Sequence, residues 1–190
     1  AANIPTNMQF WMQMYADELA RYEANKPVLK AGQVALTRSK RAATTTYPTI
    51  APILGNVEWG QGTPYNNLCP TVGGERSVTG CVATAISQIM YVHKYPTQGT
   101  GSKTYTSESN NLKLSVNFGA TTYDWNNMLP YYYNNYNSTQ ANAVATLMYH
   151  VGVAADMDYD PDGSGAASSV ALANLGTYFD YDKGIQTLPK

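Results

Sequence analysis

Cys81 is the residue whose position in the sequence could support nucleophilic chemistry. It follows Thr79 and Gly80 and begins a long apolar run that is predicted to be a helix. The thiolate is the reactive form of cysteine, and a helix N-terminus favours it because the N–H groups there are unpaired and the helix dipole stabilises negative charge. An oxyanion on an attacked carbonyl could accept hydrogen bonds from the N–H of Cys81 and from a side-chain donor, for which Gln61 is a candidate. The alternative is that Cys81 is a small buried residue that packs as a hydrophobe.

A cysteine nucleophile also needs a base, usually histidine, and the chain has two histidines. His93 lies on the same predicted helix as Cys81 and about 18 Å away from it, at ~1.5 Å per residue, which is too far to serve. His150 ends another predicted helix, and the sequence does not exclude it as the base, although a core or capping histidine is the commoner use of such a position. The residues therefore supply a nucleophile without a clear base.

Three other motifs have both a chemical and a plain interpretation. Cys69 and Cys81 could form a disulfide in a secreted chain. Residues 158–163 match the first half of a calcium-binding loop, but Ser169 occupies the position of the bidentate glutamate, so a solvated acidic turn is favoured. Residues 131–133 are three tyrosines that could stack on a sugar, although packing and rim positions are more common. We expect no bound metal and no cofactor.

The composition favours an exported protein. Charged residues are 13% of the 190 residues, below the typical share of about a quarter, and uncharged polar residues take their place. The length fits one domain, or one domain with an appended segment. No stretch approaches the ~18 apolar residues of a membrane helix. The net charge of −1 argues against nucleic acid as a partner, because phosphate binding needs a clustered basic surface.

The charge is distributed unevenly along the chain. Residues 1–41 carry six basic and three acidic groups, whereas residues 42–190 carry six basic and ten acidic groups. The first segment is therefore complementary in charge to the rest, as a docked and removable segment would be. A basic linker of no consequence is an equally good interpretation of the charge alone.

The elements that must position these residues follow from hydrophobic periodicity and from glycine and proline. The predicted helices cover residues 4–24, 81–93 and 138–150, and a fourth begins at about Ala167. The second helix has Val82, Ala85, Ile86, Ile89 and Met90 on its buried face, and Gly152 is predicted to cap the third. An exposed connector is predicted over 39–46, a long structured loop over 55–80 and a strand over 112–118. The fold class is α+β, dominated by helices and with little strand.

Four motifs, in order along the chain, resemble the streptopain family of secreted bacterial cysteine peptidases. Residues 80–96 resemble the active-site helix of that family, with Gly-Cys-Val-Ala-Thr-Ala at the start and His-Lys-Tyr-Pro at the end. Residues 61–66 resemble its oxyanion loop, and residues 125–129 and 156–159 match later segments. The resemblance implies a papain-like fold and a zymogen whose N-terminal prosegment blocks the active site.

The resemblance also implies roles for individual residues. Cys81 corresponds to the nucleophile and Gln61 to the side-chain donor of the oxyanion hole. Ser164, Gly165 and Ala166 correspond to a loop that borders the S2 specificity pocket, where small side chains would leave room for an apolar P2 residue. The histidine at the end of the active-site helix is structural in the family, and the catalytic histidine is expected beyond residue 190.

The expected organisation is the C-terminal part of a prosegment over residues 1–41, followed by the helix-rich N-terminal part of a cysteine peptidase domain over residues 42–190. The expected partners are protein or peptide substrates, the prosegment as an intramolecular inhibitor and the remaining half of the peptidase domain, with no nucleic acid and no membrane. This chain alone is expected to be inactive. The competing interpretation is a non-enzymatic secreted binding module, in which Cys81 is structural or paired with Cys69.

Overall fold

The computed structural model describes residues 51–185, together with Ala16, Asp17 and Ala20. These three residues are helical and exposed, and they lie within the helix predicted over 4–24. The rest of that predicted helix falls outside the described residues.

The chain divides into two compact units, Ala1–Ile50 and Ala51–Lys190. The connector predicted over 39–46 and the domain boundary predicted after Arg41 fall outside the described residues. Both therefore stay predictions, and the fold is described here for the second unit.

Helix α1 (Cys81–His93) begins at the candidate nucleophile and has the bounds that the sequence predicts. It ends because Lys94 adopts the left-handed conformation, with φ 48° and ψ 44°. The backbone N–H of Lys94 donates to the carbonyl groups of Met90 and Tyr91, which satisfies part of the helix C-terminus.

The buried face of α1 is rotated from the predicted one. Ile86 and Met90 are buried as predicted, but Ala85 is exposed and Ile89 is 49% exposed. Thr84 is buried instead, and its hydroxyl donates to a backbone carbonyl one turn earlier in the chain. A polar residue that is hydrogen-bonded in this way can be buried, which a pattern based on apolar residues does not reveal.

Helix α2 (Ser138–Ala154) begins where it is predicted to begin, with a capping box. Asn137 Oδ1 accepts from the N–H of Gln140, and Gln140 Oε1 accepts from the N–H of Asn137, each at 2.9 Å. The prediction that Gly152 caps the helix is wrong, because α2 continues through it. A Cβ atom at Gly152 would lie 2.1 Å from the hydroxyl oxygen of Tyr159, so close packing explains the glycine.

The strands of the described part form two antiparallel hairpins. The first pairs β1 (Thr71–Val72) with β2 (Glu75–Arg76), and the second pairs β3 (Ser102–Thr106) with β4 (Lys113–Asn117). The first hairpin lies inside the predicted loop. The predicted strand over 112–118 is β4, whose Leu114 and Val116 are buried. Its partner β3 was not predicted.

Helix α3 (Ser168–Tyr178) begins close to its predicted start, and Ala171 and Leu175 are its buried residues. The core lies where α2 packs against α1, α3 and the β3–β4 hairpin. None of the helices described is long and apolar enough to cross a membrane. The described part is α+β and dominated by helices, as predicted.

Candidate active site

Cys81 is exposed, carries a free thiol and is the first residue of α1. The N-cap is Gly80, which has no side chain to accept hydrogen bonds from the first turn, and the first turn contains no acidic residue. Because the first N–H groups of a helix have no partner within the helix, they are available to an anion here. The structure thus places the predicted nucleophile beside unpaired N–H groups that favour a bound oxyanion.

Gly80 makes the backbone bend that leads into the helix, with φ 84° and ψ 143°. A Cβ atom at this position would lie 2.6 Å from Sδ of Met157 and 3.0 Å from the carbonyl oxygen of Ser164. On the helix side, the Thr84 hydroxyl donates to the Gly80 carbonyl at 2.9 Å and lies 2.9 Å from the hydroxyl of Thr79. The bend is therefore packed against Met157 and Ser164, and the hydroxyl of Thr84 stabilises it by hydrogen bonding.

Gln61 lies in the exposed loop before this bend. Its carbonyl accepts a hydrogen bond from the N–H of Thr79 at 3.1 Å. Two peptide units separate Thr79 from Cys81, so their Cα atoms are at most about 8 Å apart. The structure thus brings the loop of Gln61 to the N-terminus of α1. The role of the Gln61 side chain as an oxyanion donor stays a prediction.

Both sides of Gln61 are anchored. The Trp59 indole N–H donates to the carbonyl of Leu129 at 2.8 Å. The Tyr65 hydroxyl donates to the carbonyl of Glu58 at 3.2 Å. Because these bonds fix the loop to buried aromatic residues, the position of Gln61 is set by the core.

The three residues predicted to border the S2 pocket differ in what they contact. Ser164 is 8% exposed, and its hydroxyl donates to the Val78 carbonyl at 2.6 Å and accepts from the N–H of Asp160 at 3.0 Å. It therefore anchors its loop to the segment that leads into α1. Gly165 and Ala166 line an open pocket of about 500 Å³ beside the end of β3. Their assignment to substrate binding stays a prediction.

The two cysteines have different environments, and neither is in a disulfide. Cys69 is 1% exposed, and burial raises the pKa of its thiol to about 12. The nearby Tyr159 hydroxyl and the charge of Arg76 lower this pKa, but burial outweighs them. A buried, protonated thiol is inert at neutral pH. The structure therefore does not support the alternative of a Cys69–Cys81 disulfide.

Neither histidine of the chain is placed to act as the base. His93 is exposed at the end of α1 opposite Cys81. His150 is 9% exposed, its Nδ1 lies 3.0 Å from the Tyr123 hydroxyl, and its ring packs edge-on against Phe118. Burial lowers the pKa of His150 to about 4. His150 is therefore a core histidine, which decides the alternative that the sequence leaves open.

The buried imidazole makes the stability depend on pH. Because the pKa of His150 falls from 6.5 to about 4 on folding, the unfolded chain binds more protons between these values. The contribution of His150 to the free energy of unfolding is complete above about pH 6.5 and is lost as the pH falls towards 4, by about 3 kcal/mol in total. We expect His150→Gln to flatten the pH dependence of urea unfolding between pH 7 and pH 5. His93→Gln, at an exposed site, should keep the original slope, and an unchanged slope in His150→Gln would contradict the prediction.

The carboxylates of Asp158 and Asp160, in the acidic tract over residues 158–163, accept hydrogen bonds from other groups of the protein. The Asp158 carboxylate accepts from the N–H and the hydroxyl of Ser109, at 3.2 and 2.5 Å, and its backbone pairs with Gly165. The Asp160 carboxylate accepts from the N–H of Asp162 at 2.9 Å. Within the residues described, no group of three or more histidine, cysteine or acidic side chains is arranged to hold a metal ion.

Sequence reasoning missed three residues that shape the site. Met157 packs beside Gly80, and the hydroxyl groups of Thr79 and Thr84 form a hydrogen bond next to the bend. Gly80 was one local signal, and the matched segments over residues 80–96 and 156–159 contain Thr84 and Met157 without assigning them a role. Which side chain approaches Gly80 depends on a long-range contact that the local sequence does not encode.

The sequence comparisons agree with this geometry. The model described as "Peptidase C10 family" matches residues 59–190. Streptopain of Streptococcus pyogenes is 31% identical over 205 residues, which cover 98% of this chain and 49% of the relative. The chain therefore spans about half the length of this curated relative.

Two solved structures from Prevotella intermedia are similar. Active wild-type interpain A cysteine protease matches with a TM-score of 0.62 and 46% identity, covering 66% of this chain and 53% of the solved chain. A fragment of prointerpain A matches with a TM-score of 0.65 and 35% identity, covering 93% of this chain and 56% of the solved chain. The predicted α+β, papain-like fold and the resemblance to the streptopain family are confirmed. The chain thus belongs to the Peptidase C10 family.

Proposed function

We propose that Cys81 is the nucleophile of a cysteine endopeptidase that hydrolyses peptide bonds through an acyl-enzyme. The observation that carries this proposal is the exposed, unpaired thiol at the uncapped N-terminus of α1. Membership of the Peptidase C10 family supports a cysteine peptidase as the class of enzyme. The proposed reaction is that of a protein about twice as long as this chain, and this chain contributes the nucleophile of that protein.

In this proposal the Cys81 thiolate attacks the carbonyl carbon of the scissile bond, and a carbon–sulfur bond forms. The carbonyl oxygen becomes an oxyanion that accepts hydrogen bonds from the N–H of Cys81 and from the side-chain amide of Gln61. The intermediate then expels the amine, which takes a proton from the conjugate acid of the base. Water then gives a proton to the base and attacks the resulting thioester. The carbon–sulfur bond breaks, which releases the carboxylic acid and returns the thiolate.

The base is proposed to lie in the part of the relatives that has no counterpart in this chain. Cys81, Ala85 and Ile89 recur every four residues, are exposed and form one stripe along α1. Ile89 is 49% exposed and lies two turns along this stripe from Cys81, at about 12 Å by the helical rise. We propose that the remaining half of the peptidase domain packs on this stripe and brings the base to the thiol.

Residues 1–41 are proposed to be the C-terminal part of an inhibitory prosegment, and residues 42–190 the first part of the peptidase domain. The excess of basic groups in the first segment and of acidic groups in the second supports this. The similarity to a prointerpain A fragment over 93% of the chain also supports it. The substrates are proposed to be proteins or peptides, with no nucleic acid or membrane partner, and the enzyme to be secreted.

Alkylation separates this proposal from a binding module with a structural cysteine. We expect iodoacetamide to modify Cys81 in the folded chain more than about a hundredfold faster than Cys69, because Cys69 is buried and protonated. Peptide mass mapping after timed quenching measures both rates in one sample. In 8 M urea the two rates should converge. A Cys81 thiol that reacts as slowly as Cys69 under native conditions would favour the binding module.

The 190-residue chain alone should not hydrolyse casein, because neither of its histidines can take a proton from Cys81. Release of acid-soluble peptides from labelled casein measures this directly. Cys81→Ala is the matched control for a contaminating protease. Turnover by the chain that disappears in Cys81→Ala would show that the base lies within these residues.

A further inference from the structure

A second pocket, of about 480 Å³, borders the loop that carries Gln61. Gly60 and Gly62, on either side of Gln61, form part of its wall. The other lining residues are mostly aromatic, with one acidic residue: Glu58, Trp59, Thr63, Tyr65, Tyr132 and Tyr133. Because Gly60 and Gly62 flank Gln61, the pocket lies against the loop whose Gln61 carbonyl accepts from Thr79, just before the N-terminus of α1.

Among the described residues that line the pocket, Glu58 is the only charged one, and it is exposed. Within residues 51–185, the salt bridge that forms is between Lys103 and Asp156, and Glu58 has no cationic partner there. The Tyr133 hydroxyl donates a hydrogen bond to Oε2 of Glu58. This bond holds the carboxylate at the pocket and leaves its negative charge uncompensated.

The aromatic residues complete a site for positive charge. Tyr133 is 67% exposed, and its ring stacks on that of Tyr131 with centroids 5.7 Å apart. Trp59, Tyr65 and Tyr132 are buried and line the pocket. The faces of aromatic rings attract cations, and a nearby carboxylate adds Coulomb attraction.

We propose that this pocket binds a lysine or arginine side chain of the polypeptide substrate, with its charge held between Glu58 and the tyrosine rings. The inference rests on the proposed function, since that function places a substrate chain at Cys81. An extended chain advances about 3.3 Å per residue, so the proposed basic residue is one that lies several positions from the scissile bond. Glu58 is then a residue that determines specificity.

Peptide binding to the full 190-residue chain tests this without activity. The probe is acetyl-Ala-Lys-Ala-amide, and its matched control carries norleucine, which has the four-carbon side chain of lysine without the charged amino group. Chemical shifts of the Gly60 and Gly62 amides report occupancy. We expect saturable shifts and a dissociation constant about fivefold lower for the lysine peptide, which corresponds to about 1 kcal/mol.

Two variants make the result specific. Glu58→Gln should remove the preference for lysine over norleucine, whereas Glu75→Gln, which removes an exposed charge in β2, should keep it. Equal affinity for the two peptides, a preference that survives in Glu58→Gln, or no shift at either glycine would overturn the proposal. The alkylation rate of Cys81 in the same samples reports on the proposed nucleophile separately.

Discussion

Replacing Gly152 by alanine should lower the free energy of unfolding by about 3 kcal/mol. The new Cβ atom would lie 2.1 Å from the hydroxyl oxygen of Tyr159 and 3.0 Å from its Cζ. Tyr159 is fully buried, so its ring has no open space to enter. Alanine favours a helix over glycine by about 1 kcal/mol, which offsets only part of the collision. Urea unfolding followed by circular dichroism measures the change.

The double variant Gly152→Ala with Tyr159→Phe tests the cause. The Tyr159 hydroxyl has the Cys69 thiol as a neighbour, but its oxygen makes no hydrogen bond of normal geometry within the described residues. Removing this oxygen should therefore cost little alone and should recover at least half of the loss in the double variant. Gly163→Ala, where nothing lies within 4 Å of the added atom, is the matched control and should be nearly neutral. A double variant no more stable than Gly152→Ala would contradict the explanation.

Replacing Gly80 by alanine should both destabilise the chain and slow the alkylation of Cys81. The φ of 84° is costly for any residue with a Cβ atom, and the added atom would lie 2.6 and 2.7 Å from Sδ and Cε of Met157. We expect a loss of about 2–4 kcal/mol in the free energy of unfolding. Because the first turn of α1 must shift, we also expect the rate at which iodoacetamide reacts with Cys81 to fall by at least about tenfold.

Met157 allows the two costs at Gly80 to be separated. In Gly80→Ala with Met157→Ala the side-chain collision is removed, but the positive φ and the 3.0 Å approach to the Ser164 carbonyl remain. The loss in free energy of unfolding caused by Gly80→Ala should therefore be smaller in the Met157→Ala background than in the original chain. The alkylation rate of Cys81 should stay low in the double variant. A Gly80→Ala variant whose thiol reacts at the original rate would show that the bend does not control the nucleophile.

Local patterns in the sequence predict the helices of this fold well. The bounds of α1 follow from Gly80 before it and Pro96 after it, and the start of α2 follows from Asn137 and Ser138. Strand β3 was missed because Ser-Lys-Thr-Tyr-Thr contains no aliphatic residue to mark a buried face, and it is held by pairing with β4. What could not be predicted depends on contacts between distant segments.

The same distinction holds for the candidate site. The position of Cys81 at a helix start is a local property, and the sequence predicts it. The use of the Ser164 hydroxyl as an anchor for Val78, and the burial of His150 against Phe118 and Tyr123, depend on segments far apart in the chain. Gly152 shows the risk of local rules. It lies near the predicted end of a helix, but it allows Tyr159 to pack closely and does not terminate the helix.

The burial of Cys69 has a consequence for how the exposed thiol withstands oxidants. Oxidation converts an accessible thiolate to a sulfenic acid, which is rescued when a second thiol condenses with it to form a disulfide. Cys69 is the other cysteine of this chain, and at 1% exposure it cannot serve as that resolving thiol without unfolding around it. Within this chain, an oxidised Cys81 therefore depends on a thiol from outside the chain, and without one a further equivalent of oxidant converts the sulfenic acid to irreversible sulfinic acid.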